Sequence, residues 1–421
     1  IPYIPETIVV HLGAPTQSAA NVTVPFTDYI KNVVSSEIYP TWEPAALEAN
    51  TLAIISFALN RFYTEYYRSR GYDFDITSST AIDQKYIEGR NIYENISVLV
   101  DEIFDRYLRR EGFVEPLAAK FCNGVTTTCD GLSQWGSQYL AEGGADAFSI
   151  LRSYYGNIEL VTNAPVQEPS PSYPGTPLRR GDTNADVALI QFILNRISQN
   201  YPAIPKLTVD GVFGSDTEAS VRAFQSIFDL TADGIVGPAT WYKMLLLYVA
   251  VQRLSELQSL GQTYTRYNWE LPEPLSIGST GSRVTFLQYV LSVLAQFIPS
   301  IPEANITGTY SENTEEAVRA FQSYAGLPAT GTIDDATWNA LYAQYSAIRS
   351  EVLSSGELFP ITELDVPEAV PVFANAQAPA PSIFPQPPTG DAAQRYTDTS
   401  RFLQYPAGGF AAGQQDEEGS L

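Results

Sequence analysis

The sequence predicts a multidomain α+β protein: a mixed α/β domain at the N-terminus, two all-α modules of three helices each, and an irregular C-terminal tail. Three observations carry that prediction. The hexapeptide VRAFQS stands at Val221 to Ser226 and again at Val318 to Ser323. Shifting the chain by 97 residues lays Leu178 to Met244 over Leu275 to Leu341 without a gap, so a unit of 67 residues is duplicated. Ahead of the duplication, residues 21–60 pass from a strand-like stretch into two runs of helical period, and beyond about Pro360 periodicity gives way to Pro, Gly and Gln. A chain of 421 residues with 44% hydrophobic composition is long enough to bury two or three cores.

The first domain is expected over residues 1–161. Val33 and Val34 precede Glu37 at helical spacing, and Leu47, Leu52, Ile55 and Leu59 follow it. Pro40 and Pro44 break the chain between the two runs, which places Glu37 at a helix end beside Tyr39 and Trp42. A carboxyl among apolar and aromatic neighbours keeps its proton to higher pH, the property a general acid needs. An ordinary helix-end carboxylate in a surface turn has the same spacing, so both readings stand. The run RFYTEYYRSRGY (Arg61 to Tyr72) offers rings that stack on sugars or, on a helix, form core along one face. Cys122 and Cys129 fall in a short loop, where a disulfide, two reduced thiols and metal ligation are the alternatives, in that order. Two thiolates fall short of the four ligands of structural zinc, and the chain's one histidine, His11, is remote in sequence.

The Pro-rich residues 162–177 favour an extended, semi-rigid linker. The first module with a trailing helix is expected over 178–260, a second linker over 261–274, the second module with its trailing helix over 275–356, and the tail over 357–421. Val187, Ile190, Gln191 and Leu194, like Val284, Leu287, Gln288 and Leu291, recur along one helix face. Asp216 or Asn313 is a fair N-cap for the second helix, whose stripe holds Val221, Phe224 and Phe228, or Val318 and Phe321. The third helix carries Trp241 or Trp338 after the turn signals Asp233-Gly234 or Thr330-Gly331. These aromatic residues read first as core, and Gly211, Gly214 and Gly234 as turn residues.

Charge narrows the partners. With 24 Lys+Arg against 47 Asp+Glu the net charge is −23, which argues against nucleic acid and anionic membrane, since both require a basic face. No run of about 18 apolar residues exists to span a bilayer, and MLLLYVAV (Met244 to Val251) reads as a buried helix. The chain opens at Ile1 with no basic-then-apolar leader, so compartment is not expected to be legible from the terminus.

The order G-D-T-x-x-x-V-x-x-I-Q, D-G-x-F-G-x-x-T, V-R-A-F-Q, D-G-x-x-G-x-x-T-W in the first copy resembles the peptidoglycan-binding three-helix module of bacterial wall hydrolases. The second copy departs from it at Thr307, Ser311, Asp334 and Asp335. In the first domain, DYIKNVVSSEIYPTWEPAALEANTLAIISFAL is similar to the opening of the stage II sporulation protein D (SpoIID/LytB-like) family. DITSSTAIDQKY, GLSQWGSQYLAEGG and FSILRSYYGNIEL continue that likeness in the family's order. The resemblance implies a peptidoglycan lytic transglycosylase in which Glu37 acts as acid, then base. One carboxyl suffices there because the sugar's own C6 hydroxyl replaces water, unlike two-carboxylate hydrolysis. Tyr39, Gln134, Trp135 and Tyr154, in or beside these segments, are the candidate glycan contacts. Two departures bear on activity: Ile55 stands where the family has an arginine, removing a cation beside the carboxyl, and FCNGVTTTCDGL replaces a long insert.

These readings lead to a wall-associated peptidoglycan-binding protein with an anchoring or structural role, in which a reduced first domain adds a glycan-binding or assembly element. The alternatives are an active lytic transglycosylase targeted by the modules and a self-assembling spore-surface protein. Peptidoglycan is the expected partner, with a homo-oligomer or spore-layer proteins as further ones. No cofactor and no metal are expected. The expected location is extracytoplasmic, in cell wall or spore cortex or coat.

Overall fold

The computed structural model describes residues 2–254, 263–264 and 269–355. The expected irregular tail and residues 261–262 and 265–268 of the second linker lie outside the described residues.

The first domain is built around a helix that is buried on nearly all sides. Helix α1 (Phe26–Glu37) leads through a short turn to α2 (Pro44–Tyr63), in which Pro44 takes the first turn, where its missing N–H costs nothing. Ala46, Ala49, Leu52, Ala53, Ile54, Ile55, Ala58 and Leu59 are all buried, so α2 shows no solvent stripe. Helices α1, α3 (Glu94–Ile103), α4 (Gln134–Glu142) and α5 (Ala147–Tyr155) pack around it. Several polar groups on α2 find internal partners, although Asn50 Oδ1 and Asn60 Oδ1 do not. The Thr51 and Ser56 hydroxyls donate to the carbonyls of Leu47 and Leu52, and the Asn50 amide donates to Ser137 Oγ at 2.7 Å. A three-stranded sheet flanks this core, with Thr7–His11 central, antiparallel to Asn21–Pro25 and parallel to Ile76–Thr77. A second ladder pairs Tyr107–Arg110 with Ile158–Val161.

Each repeat has three helices: α6 (Ala185–Ser198), α7 (Ser215–Ile227) and α8 (Pro238–Gln252), then α9 (Ser282–Ala295), α10 (Glu312–Tyr324) and α11 (Asp335–Ser355). The duplication holds to the level of single backbone bridges. Leu178 pairs with Val236 and Thr183 with Val212, and Leu275 and Thr280 pair with Ile333 and Thr309. Phe224, Phe321, Trp241 and Trp338 are core residues. Each indole N–H reaches the segment ahead of its repeat, Ser172 Oγ at 2.8 Å and the Trp269 carbonyl at 2.9 Å.

Two expectations about helix ends need correction. Helices α7 and α10 are capped by Gly214 and Ser311, not by Asp216 and Asn313. Asp216 lies inside the first turn, and the Asn313 side chain instead bridges the Asn305 amide (2.7 Å) and the Glu303 carbonyl (3.1 Å). Helix α8 was expected to run to Leu260; it ends at Gln252, where Arg253 turns left-handed at φ 54°. The remainder, 255–260, lies outside the described residues.

The Pro-rich stretch ahead of the first repeat lies along the first domain. Val166–Gln167 pairs in parallel with Ile4–Pro5, and Ser172 donates from its amide to Glu65 Oε1 at 3.1 Å. In the second connector, Thr263–Tyr264 pairs antiparallel with Thr127–Thr128.

Candidate functional site

Glu37 is the last residue of α1. The Ile38 amide still donates to the Val34 carbonyl, and Pro40 then prevents another turn. The half-buried carboxylate receives three donors from two distant segments. Oε1 accepts from the Lys85 backbone N–H at 2.7 Å and from the Thr80 hydroxyl at 3.3 Å; Oε2 accepts from Gln134 Nε2 at 3.3 Å. Gln134 opens α4, whose N-cap Ser133 accepts from the Gly136 amide at 3.0 Å.

The loop carrying Thr80 and Lys85 is held by the inner faces of α1 and α2. Tyr29 Oη donates to Gln84 Oε1 at 2.9 Å, and Gln84 Nε2 to the Ile54 carbonyl at 3.0 Å. Asn32 closes a reciprocal pair with Ile87, donating at 2.7 Å and accepting at 2.9 Å. Burial pushes the Glu37 carboxyl above the ordinary glutamate value. The Lys85 amide bond, the Lys85 charge and the Gln134 and Thr80 bonds pull the other way.

Ile55 is fully buried in the core of α2, and Lys85 touches Glu37 through its backbone N–H, its side-chain charge acting only from a distance to lower the proton affinity of Glu37. Arg61, further along α2, is committed elsewhere. It is fully buried against Asp83 at 2.9 Å, and Asp83 also accepts from the Thr77 amide and hydroxyl and from Tyr67.

The candidate glycan contacts separate. Gln134 touches Glu37. Tyr39 and Trp135 belong to a buried aromatic cluster with Trp42 and with Tyr289 from α9; ring centroids lie 5.0 Å apart for Trp42 and Trp135, and 6.0 Å for Trp135 and Tyr289. Trp135 thus packs the second repeat against the first domain, and Tyr39 packs against Trp42 and Trp135 within the first domain. Tyr154 is half-buried on α5 with its hydroxyl above Gly136, where a Cβ would stand 2.2 Å from it. Sequence reasoning did not single out Thr80 and Lys85. Their signal was the segment DITSSTAIDQKY, which contains both.

Cys122 and Cys129 form a disulfide with 6.1 Å between Cα atoms, closing a loop in which Asn123 Oδ1 accepts from the amides of Val125, Thr126 and Thr127. His11 is bonded to Asn21 Oδ1 and the Gln17 carbonyl. With both sulfurs joined and the imidazole so engaged, these residues do not fit a zinc site.

Between α4 and the second repeat lies a cavity of ≈260 Å³, bordered by Tyr139 and Glu142 on one side and by Glu303 and Asn305 on the other. No helix among the described residues is long and apolar enough to cross a membrane.

Comparison with known families agrees with this architecture. Residues 16–103 match the family described as "Stage II sporulation protein", and residues 183–244 and 280–341 each match "Putative peptidoglycan binding domain". The chain therefore carries one stage II sporulation protein segment followed by two peptidoglycan binding repeats. It is 31% identical over 161 residues to the N-acetylmuramoyl-L-alanine amidase CwlL of Bacillus licheniformis, covering 37% of this chain and 42% of that one. It is 52% identical over 42 residues to the zinc D-Ala-D-Ala carboxypeptidase of Streptomyces albus G, covering 10% of this chain and 16% of that one. The chain thus spans less than half the length of these relatives.

Proposed function

We propose that the protein binds peptidoglycan in the cell wall through its two repeats and brings the first domain to the glycan strand. The observation that carries this reading is that both repeats keep the module's internal clamps, even where the second departs in sequence. In the first repeat Gln191 accepts from the Gly211 amide at 2.9 Å and donates to Asp210 at 2.9 Å. In the second, Gln288 accepts from the Gly308 amide at 2.8 Å, and Thr307 takes the place of the aspartate, accepting from the Thr309 amide at 3.2 Å. Asp334, in place of Gly237, caps α11 by accepting from the Thr337 amide at 2.8 Å. The substitutions are thus compatible with a folded, wall-holding second module. The proposed location is extracytoplasmic, in the cell wall, with spore cortex or coat as its finer assignment. Sedimentation of the full chain with insoluble wall sacculi tests binding, and parallel assays on purified cortex and vegetative wall distinguish the locations. Failure to sediment with either would refute the reading.

A second reading, lytic cleavage of the glycan strand, is favoured by the surroundings of Glu37. A carboxyl whose proton affinity is raised by burial, yet whose orientation is held by Lys85, Thr80 and Gln134, has the properties of a general acid that later serves as base. Release of anhydro-sugar products from peptide-stripped strands, abolished in Glu37→Gln, is the expected outcome. Wild-type protein that binds sacculi but releases nothing would leave anchoring alone.

A further inference from the structure

We infer that the cavity between α4 and the second repeat is a binding site for a single N-acetylated amino sugar of the glycan strand, distinct from the Glu37 site. The inference rests on the peptidoglycan-binding reading and names where one unit of the polymer sits. At ≈260 Å³ the cavity lies just below the ~300 Å³ at which pockets for drug-sized ligands begin, enough for one pyranose with its acetamido group.

Its walls have the chemistry of a neutral, hydroxyl-rich ligand. No lysine or arginine borders it, so an anionic ligand such as a phosphate or free carboxylate has no counter-charge there. Tyr139 presents a ring that is 54% exposed, a surface for the apolar face of a sugar. The half-buried Asn305 carboxamide makes no hydrogen bond among the described residues and offers both donor and acceptor, as an acetamido group requires. The floor is fixed by close approach: a Cβ on Gly124 would meet Ser133 Oγ at 1.9 Å, and one on Gly136 would meet Tyr154 Oη at 2.2 Å.

Glu303 and Glu142 meet at the edge of the cavity, one from each domain. Burial, then the charge of Glu142 and a hydrogen bond with it, then the charge of Glu43, push Glu303 up to about 8. Gln138 Nε2 meanwhile donates to Glu142 Oε1 at 3.0 Å. Near neutral pH Glu303 therefore keeps its proton, held toward Glu142, and the pair carries less charge than two separate carboxylates would, which suits a neutral ligand. The first repeat does not carry these residues: at the shift of 97 residues, Lys206, Thr208 and Ala188 stand where the second has Glu303, Asn305 and Thr285. The site thus belongs to the junction and not to the module as such.

The test is calorimetric titration of the full chain with chitotetraose, alongside sacculus sedimentation. Wild-type protein should bind the oligomer, and Tyr139→Ala and Asn305→Ala should each weaken binding by roughly tenfold, equivalent to ~1.4 kcal/mol, with unchanged circular dichroism. Binding should fall as pH rises through about 8, as Glu303 loses its proton, and Glu303→Gln should flatten that profile between pH 7 and 9. Wild-type protein that sediments with sacculi but does not bind chitotetraose would overturn the site and leave wall binding standing. Folded Tyr139→Ala and Asn305→Ala variants that bind as tightly as wild type would overturn it equally. Loss of sedimentation by the wild type would instead strike the underlying reading.

Discussion

Four glutamines explain much of the duplicated sequence. Gln191, Gln225, Gln288 and Gln322 are buried, and each ties a helix to a turn containing a glycine. Gln225, in the first VRAFQS, accepts from the Gly234 amide at 2.8 Å and donates to the Ile235 carbonyl at 2.9 Å. Gly234 has φ 72° and lies where a Cβ would meet the Glu218 side chain at 2.8 Å, so the position requires glycine. Replacing Gln225 with Met keeps the volume but strands a buried N–H and C=O. Denaturant unfolding should register a loss of about 1–3 kcal/mol, and a loss below the error of the measurement would show that the clamp is idle. The sequence placed Gln191 and Gln288 on the apolar stripe, which made their burial legible. Their partners were not legible, because a clamp spanning about twenty residues leaves no local period. Glu37 divides the same way. Its place at a helix end follows from Pro40, while Lys85 and Gln134 lie 48 and 97 residues away and meet it only through tertiary packing.

The most informative element is α2. Its unbroken burial is visible in sequence as an apolar run, but Arg61 at its far end is not, since a lone arginine among tyrosines reads as solvated. In the fold both Arg61 and Asp83 have no exposed side-chain surface, and the guanidinium lies 3.9 Å from the Tyr66 ring centroid. A buried pair of this kind is costly to break from one side, because the remaining charge stays in the core. Asp83→Asn should therefore cost about 3–5 kcal/mol, read as a shift of the urea midpoint. A change below about 1 kcal/mol would mean that water reaches Arg61. The element boundaries illustrate the opposite limit: Asp216 and Asn313 satisfy every compositional rule for a cap, yet glycine and serine two residues earlier hold that position.

At the scale of the molecule, both repeats rest on the first domain, by different means. The first is approached through polar contacts: Ser172 links Glu65 to Trp241, and the Asn60 amide donates to the Leu254 carbonyl at 2.8 Å. The second shares a continuous apolar core with the first domain, centred on Trp42, Trp135 and Tyr289, and Thr41 donates to Gln296 at its edge. Tyr289→Ala should remove about 3 kcal/mol or more of packing and expose both indoles. A red shift of tryptophan emission and faster proteolysis between the repeats are the expected readouts, and unchanged emission would place the second repeat elsewhere in solution. The order of domains and the duplication were legible from the sequence. The docking was not, because Trp135 and Tyr39 look the same in sequence whether they meet a sugar or a neighbouring helix.

The strands formed by the connectors carry a consequence for how a polymer would be held. Since Val166–Gln167 and Thr263–Tyr264 are each hydrogen-bonded to the first domain, the reach between the two repeats is set by the body of the protein and not by slack in a tether. Such a molecule works as a caliper: lattices whose pitch matches its jaws engage both at once, and others meet one jaw at a time.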